Sequence, residues 1–361
     1  MKTIIGVFRG FPGLGRVSAG IALLKEFQHR GFEVAAISYY QGIEALIQQE
    51  IPILFDYAIE KCDITSIGIN PITGFATTII SEILKKNPDV VIIDGEPLLQ
   101  STLSEVFPKE RIVALLNPSD LKNDSLPEST IRFYHKNYLS CGNAIVHGID
   151  IDYDMIDENG CKVHYIPTIL RQEVLELKSI VRKSERVVGI LGGGSINASE
   201  HFFASTVDLG KKMVSVAQKM NDTLFDIYCN DVNIKETIGR AVTIPSNVRI
   251  ESSYVSPQTM YKNAGVVIAR SGRNVVSELL FLNIGGILFA TDGDYRSKEQ
   301  ENNIDAMVFA SNDLFVKTKI SDCDEKLIQN IGERMNSKYH GIDFEPGNQY
   351  AISIISKLME K

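Results

Sequence analysis

Four short segments of this 361-residue chain carry residue types and spacings suited to holding a phosphorylated ligand or moving a proton. In residues 10–16 (GFPGLGR), glycines let the backbone approach a ligand, and the helix expected next offers N–H groups to an anion. Gly13, Gly15 and Arg16 are the candidates there, with a simple tight turn as the alternative. Asp94-Gly95-Glu96 puts two carboxylates at the end of an apolar run. Asp94 or Glu96 could act as general base toward an acceptor hydroxyl, or the pair could only cap a turn. Residues 192–197 (GGGSIN) combine small residues, a hydroxyl and a helix start, which suits a phosphate-holding turn built on Gly193, Gly194 and Ser195. Residues 269–279 (ARSGRNVVSEL) end a strand at Arg270-Ser271-Gly272 and begin a helix whose N-terminal dipole favours an anion. Glu278, one turn into that helix, could accept both hydroxyls of a ribose, or could be an exposed residue favoured by the dipole.

The elements that must position these segments read as alternating strands and helices. Short β-branched apolar runs occur at residues 3–8, 32–38, 88–94 and 111–116, with helical periodicity over residues 17–30 and 77–86. The pattern restarts at residues 186–191. A helix follows over residues 200–219, then strands near 224–229, 248–251, 266–269 and 286–290, and a helix over 275–282. Repeated strand–helix–strand units predict parallel sheets with helices on both faces, which bind ligands at the carboxyl ends of their strands. Two such domains facing each other would form a cleft. The expected division is residues 1–166, residues 167–345, and a terminal helix within 346–361 returning to the first domain.

Several functions are disfavoured. The first glycine loop lacks the G-x-G-x-x-G spacing, and no acidic residue ends the next strand, which argues against a nicotinamide enzyme. The second lacks the lysine of a phosphate-binding loop, which argues against nucleoside-triphosphate hydrolysis. A net charge of −8 argues against nucleic acid as a partner. The five cysteines show no metal-ligand spacing and suit reduced thiols. The start of the chain does not read as a signal peptide, and no apolar run is long enough to span a membrane. A cytoplasmic location is expected, with peripheral membrane contact left open through an apolar patch near Phe11 or Phe75.

Residues 253–306 resemble the donor domain of the bacterial N-acetylglucosaminyltransferases that complete lipid II (glycosyltransferase family 28) and are similar to their archaeal and bacterial relatives. The matching residues are Tyr254-Val255, Met260, Ala269-Arg270-Ser271-Gly272, Val276-Ser277-Glu278, and Glu299-Gln300 with Asn303. Gly193-Gly194-Ser195 is similar to the family's diphosphate turn, Arg171 lies in a stretch similar to the entry into the second domain, and Gly13 to Arg16 is similar to the opening glycine loop.

The resemblance implies an α/β fold of the GT-B type with two Rossmann-like domains. It implies that Tyr254-Val255 border the base, Glu278 holds the ribose, and Glu299, Gln300 and Asn303 reach the sugar. Arg171, helix dipoles and backbone amides would stabilise the leaving diphosphate without a metal or cofactor. Arg16 stands where the family often has a histidine, the usual candidate base, and Ile196-Asn197 replace a typical Gln-Gly. Arg16 could contact phosphates or an acidic acceptor.

The expected activity is transfer of a sugar from a nucleotide-diphosphate sugar, with UDP the default, to a hydroxyl or amine of a small or lipid-linked acceptor. A hydrolase of the same fold would release free sugar, a 2-epimerase would convert the donor, and a non-catalytic protein would bind the nucleotide-sugar without turnover.

Overall fold

A computed structural model describes residues 1–10, 14–54, 71–123, 126–149, 151–178, 186–192, 200–229, 231–253, 255–290, 300–302, 304–305, 313–336 and 344–360. The chain divides into two compact units, Met1–Gln172 with Pro346–Lys361, and Glu173–Glu345.

The first unit contains β1 (Thr3–Phe8), α1 (Gly15–His29), β2 (Glu33–Ile37), α2 (Gln41–Gln48), α3 (Pro71–Lys86), β3 (Val90–Asp94), α4 (Pro97–Leu103), β4 (Ile112–Leu116), α5 (Pro118–Leu121), α6 (Glu128–Tyr138), β5 (Asn143–Gly148), β6 (Asp154–Glu158) and β7 (Cys161–Pro167). A short helix, α7 (Gln172–Leu177), spans the division. The second unit contains β8 (Arg186–Ile190), α8 (Glu200–Lys219), β9 (Leu224–Tyr228), α9 (Val232–Ala241), β10 (Val248–Glu251), α10 (Pro257–Tyr261), β11 (Ala264–Arg270), α11 (Arg273–Leu282), β12 (Gly285–Phe289), β13 (Phe315–Lys317) and α12 (Asp324–Asn336). The last helix, α13 (Asn348–Met359), belongs to the first unit.

The described strands of the first unit form a sheet in the order β2-β1-β3-β4-β5-β7-β6, parallel except for the antiparallel edge pair β7·β6. β3 (VVIID) and β4 (IVALL) are buried along their whole length, as strands covered by helices on both faces require. α1 ends in a Schellman motif. Gly31 has φ +82°, its N–H donates to the Gln28 carbonyl, and the Phe32 N–H donates to the Phe27 carbonyl. The Phe27 and Phe32 rings meet edge-on at 5.3 Å and fix the turn into β2. The β6–β7 hairpin turns on Asn159-Gly160, both at positive φ, the pairing that a two-residue hairpin favours.

The second sheet is parallel, in the order β10-β9-β8-β11-β12-β13. Its core joins Val187, Val266, Ile268 and Ile287 of the strands to Met213 and Val214 of α8 and Ile234 and Ile238 of α9.

The return segment is bolted to the first unit by a side-chain amide. The Leu170 N–H donates to Asn348 Oδ1 at 2.9 Å, and Asn348 Nδ2 donates to the Leu170 carbonyl at 2.8 Å. Ala351, Ile352, Ile354 and Ile355 are buried, and the Lys2 ammonium bonds the Met359 carbonyl.

One boundary differs from the expected one, and several elements were not foreseen. The units divide between Gln172 and Glu173, not at 166/167, so Arg171 belongs to the first unit. α2, α4, α9, α12 and β13 were not anticipated. α9 did carry a signal, since Asp231 caps it by accepting the Asn233 N–H while Ile234 and Ile238 repeat at helical spacing.

Candidate functional site

In each sheet the strand order reverses beside the first strand of its unit, between β1 and β3 and between β8 and β11. Open α/β sheets hold ligands at such switch points, outside the carboxyl ends of the strands. Asp94-Gly95-Glu96 lies at the carboxyl end of β3 beside the first of them, and Arg270-Ser271-Gly272 at the carboxyl end of β11 beside the second.

At the first, Phe8 pairs in register with Asp94, and the Arg9 N–H donates to the Asp94 carbonyl at 2.9 Å. Two arginines lie over this strand end. Arg16 Nη1 contacts Asp94 Oδ1 at 2.6 Å, and its Nη2 contacts Asp120 Oδ1 at 2.6 Å. Asp120 is fixed in turn, because its Oδ2 accepts the Asn117 N–H at 2.8 Å where α5 begins. Glu96 is 1% exposed; Tyr39 Oη donates to its Oε1 at 2.8 Å, and Arg9 Nε lies 3.9 Å from the same oxygen.

The electrostatics separate the two carboxylates that the sequence left open. Asp94 is locked in an ion pair with Arg16. Glu96 is pushed up to about 7 by burial, against the opposing pull of Arg9 and the Tyr39 hydrogen bond. Burial works against the Arg16 charge, yet Asp120 and Asp94 hold its pKa well above the usual value. Burial would raise Asp120, and Arg16 more than reverses this. One guanidinium, Arg16, therefore bridges Asp94 and Asp120, and Glu96 is left as the group that changes charge near neutrality.

Gly95 makes the arrangement fit. Its φ is +87°, and an added Cβ would lie 2.6 Å from Arg16 Cδ and 2.8 Å from Arg9 Cβ. Replacing Gly95 with alanine is expected to lower stability by roughly 1–3 kcal/mol through backbone strain and displacement of both arginines. A urea unfolding curve indistinguishable from wild type would contradict that reading.

At the second switch point, Ser271 Oγ donates to the Gln300 carbonyl at 3.0 Å, and the Ser271 N–H donates to the Phe289 carbonyl at 3.0 Å. Gly272 begins α11 without a side-chain cap. Arg270 is 5% exposed and turned into its own unit. Its guanidinium lies 4.4 Å from the Phe202 ring centroid, and its Nη2 donates to Ser205 Oγ at 3.0 Å, both on α8. Glu278 is 1% exposed, which excludes the exposed alternative, and its Oε2 accepts from Tyr261 Oη at 2.7 Å.

Gly15 is the exposed first residue of α1, and Arg171 precedes α7. Val255 and Gln300 are among the described residues, Gln300 buried. Gly13, Gly193, Gly194, Ser195, Tyr254, Glu299 and Asn303 lie outside them. Arg9, Tyr39, Asp120 and Tyr261 were not anticipated. Asn117-Pro118 with Asp120, a helix-capping pattern straight after a strand, was the available signal for Asp120. Among the described residues no cluster of three or more His, Cys, Asp or Glu side chains could hold a metal ion.

Comparison with solved structures gives full-length matches. A putative UDP-N-acetylglucosamine 2-epimerase from Listeria monocytogenes aligns with a TM-score of 0.62 at 11% identity, over 100% of this chain and 98% of its own. The UDP-GlcNAc 2-epimerase of Methanocaldococcus jannaschii, solved with UDP-GlcNAc and UDP, aligns with 0.60 at 12% identity over 100% of both chains. MurG of Acinetobacter baumannii aligns with 0.52 at 14% identity, over 99% of this chain and 100% of its own. The fold is MurG-like and of the GT-B type. No protein-family model and no curated protein matches the chain. The GT-B fold accounts for two sheets, one parallel and one parallel but for its β7·β6 edge pair, each with its own switch point. No described helix is long and apolar enough to cross a membrane.

Proposed function

We propose that the chain is a glycosyltransferase that moves a sugar from a nucleoside-diphosphate sugar, UDP by default, to a hydroxyl or amine of a small or lipid-linked acceptor. The observation that carries this reading is a pair of buried carboxylates, one at each switch point of a GT-B fold. Glu278 is held by Tyr261 on the helix that follows Arg270-Ser271-Gly272. Glu96, raised to about 7, follows β3. In the proposed reaction Glu278 accepts the ribose hydroxyls, and the amino-terminal dipole of α11 faces a phosphate. Glu96 takes the acceptor proton as the sugar bond to the diphosphate breaks. Asp94 and Arg16 hold the loop that carries Glu96. No step calls for a metal or cofactor, because amides and helix dipoles can stabilise the leaving diphosphate.

A second reading is a nucleotide-sugar 2-epimerase, since two UDP-N-acetylglucosamine 2-epimerases share the fold over the whole chain.

Nucleoside-diphosphate binding is tested by thermal unfolding with UDP, GDP and dTDP and their sugars. A ligand at a hundred times its Kd should stabilise the native state by about 2.7 kcal/mol. Glu278→Gln, which keeps an acceptor for Tyr261, should weaken that ligand at least tenfold. If none of the nucleotides shifts the transition, the reading fails. With a binding nucleotide-sugar in hand, product analysis distinguishes transfer from a C2 epimer, from free sugar and from no turnover.

A further inference from the structure

Two cysteines away from both switch points face each other. Cys141 Sγ and Cys161 Sγ lie 3.9 Å apart, and both residues are buried. Cys141 sits between α6 and β5, and Cys161 opens β7, twenty residues later. The sheet fixes their approach, since β5 and β7 pair in parallel from Asn143↔Lys162 and the Lys162 N–H donates to the Gly142 carbonyl at 3.0 Å. A disulfide needs sulfurs about 2.05 Å apart, so closure brings the two sulfurs together by about 1.9 Å from their 3.9 Å separation.

The surroundings prepare one sulfur to react. Gln100 Nε2 donates to Cys141 Sγ at 3.2 Å, and the same amide bonds the Tyr138 carbonyl. That donor favours the thiolate, whereas the Asn143 carbonyl, 3.0 Å from Cys141 Sγ, accepts from the thiol. The Cys161 hydrogen bond is the largest influence lowering the Cys141 pKa, and the same bond raises that of Cys161. Cys161 also directly follows the exposed Asn159-Gly160 turn and lies beside the edge strand β6, whose residues 154–157 are exposed. Edge hairpins open locally at low cost, which admits an oxidant the size of a water molecule.

We infer that Cys141 and Cys161 form an oxidisable dithiol that hydrogen peroxide converts to an intramolecular disulfide. In the first step the Cys141 thiolate attacks one peroxide oxygen, the O–O bond breaks, and Cys141 becomes a sulfenic acid while hydroxide leaves. In the second, the Cys161 sulfur attacks the Cys141 sulfur and displaces the sulfenic hydroxyl. The Cys161 proton and that hydroxyl leave together as water. Each sulfur loses one electron, and the two electrons reduce one peroxide to water. The bond ties the end of α6 to the start of β7 and removes the Gln100 contact to sulfur. Thiol reductants reverse it.

The test treats the full chain with a small molar excess of hydrogen peroxide, alkylates remaining thiols under denaturing conditions, and maps the peptides by mass spectrometry. The expected result is a cross-linked pair containing Cys141 and Cys161, lighter than the two free peptides by two hydrogen atoms and lost after dithiothreitol. Cys161→Ala should give no cross-link and should leave Cys141 as a sulfenic acid that dimedone traps. Recovery of both cysteines fully alkylated, of Cys141 cross-linked to a different cysteine, or of a sulfinic acid at Cys141 would overturn the inference. The wild-type map decides on its own should the variant fail to fold.

Discussion

Replacing Arg16 with methionine is expected to lower the unfolding free energy by about 3–5 kcal/mol, because it strips one cation from two carboxylates and leaves both without their counter-charge. The magnitude follows from burial. Asp94 has a side-chain exposure of 1% and Asp120 of 12%, and Arg16 contacts each at 2.6 Å. Methionine keeps most of the apolar stem, so the loss is electrostatic and not a packing void. Adding Asp94→Asn to Arg16→Met should recover part of the loss, because the buried site then holds one fewer uncompensated charge. Denaturant unfolding near pH 7 measures both. A loss below about 1 kcal/mol for Arg16→Met would put this contact among ordinary surface ion pairs and sink the account of the cluster.

Glu96→Gln is expected to lower kcat by about 10²–10⁴-fold, the range that a positioned general base contributes. The carboxylate must be ionised to accept a proton. The wild-type rate should therefore rise with pH through about 7, and the Glu96→Gln variant should lose that limb. The same group ties stability to pH in the opposite sense. The folded state holds the Glu96 proton up to about 7, whereas an unfolded glutamate releases it near 4.5. This contribution is full below the unfolded value and fades as pH rises through the folded one. Between about pH 4 and pH 8 the wild type should lose about 3 kcal/mol relative to Glu96→Gln. Equal rates for wild type and variant across that range would remove Glu96 as the base, and parallel stability curves would remove the raised pKa.

Much of the fold is legible in the sequence because its signals are local. The apolar run of residues 3–8, the Gly31 stop and the terminal helix of residues 348–359 follow from propensity and pattern alone. Both switch-point segments, at Asp94-Gly95-Glu96 and Arg270-Ser271-Gly272, were visible as loops that end strands. What was not legible depends on contacts distant in sequence. Asp120 meets Arg16 across 104 positions, and Tyr39 meets Glu96 across 57. No periodicity reports such pairs. The choice between Asp94 and Glu96 is of the same kind, since it turns on which carboxylate Arg16 reaches. Arg270 ended inward because Phe202 and Ser205 offer its guanidinium a ring face and a hydroxyl within the unit, which neighbouring residues in the sequence could not reveal.

The clasp between Asn348 and Leu170 bears on the order in which the polypeptide acquires its shape on the ribosome. The first unit is discontinuous, and its buried Ile352 and Ile355 are synthesised only after all of Glu173–Glu345. The internal unit is contiguous and can close as soon as it emerges, whereas the amino-terminal unit must wait with the groove for α13 uncovered. A chain ended after Glu345 should therefore protect the second unit from protease better than the first, a reversal of the usual amino-to-carboxyl progression.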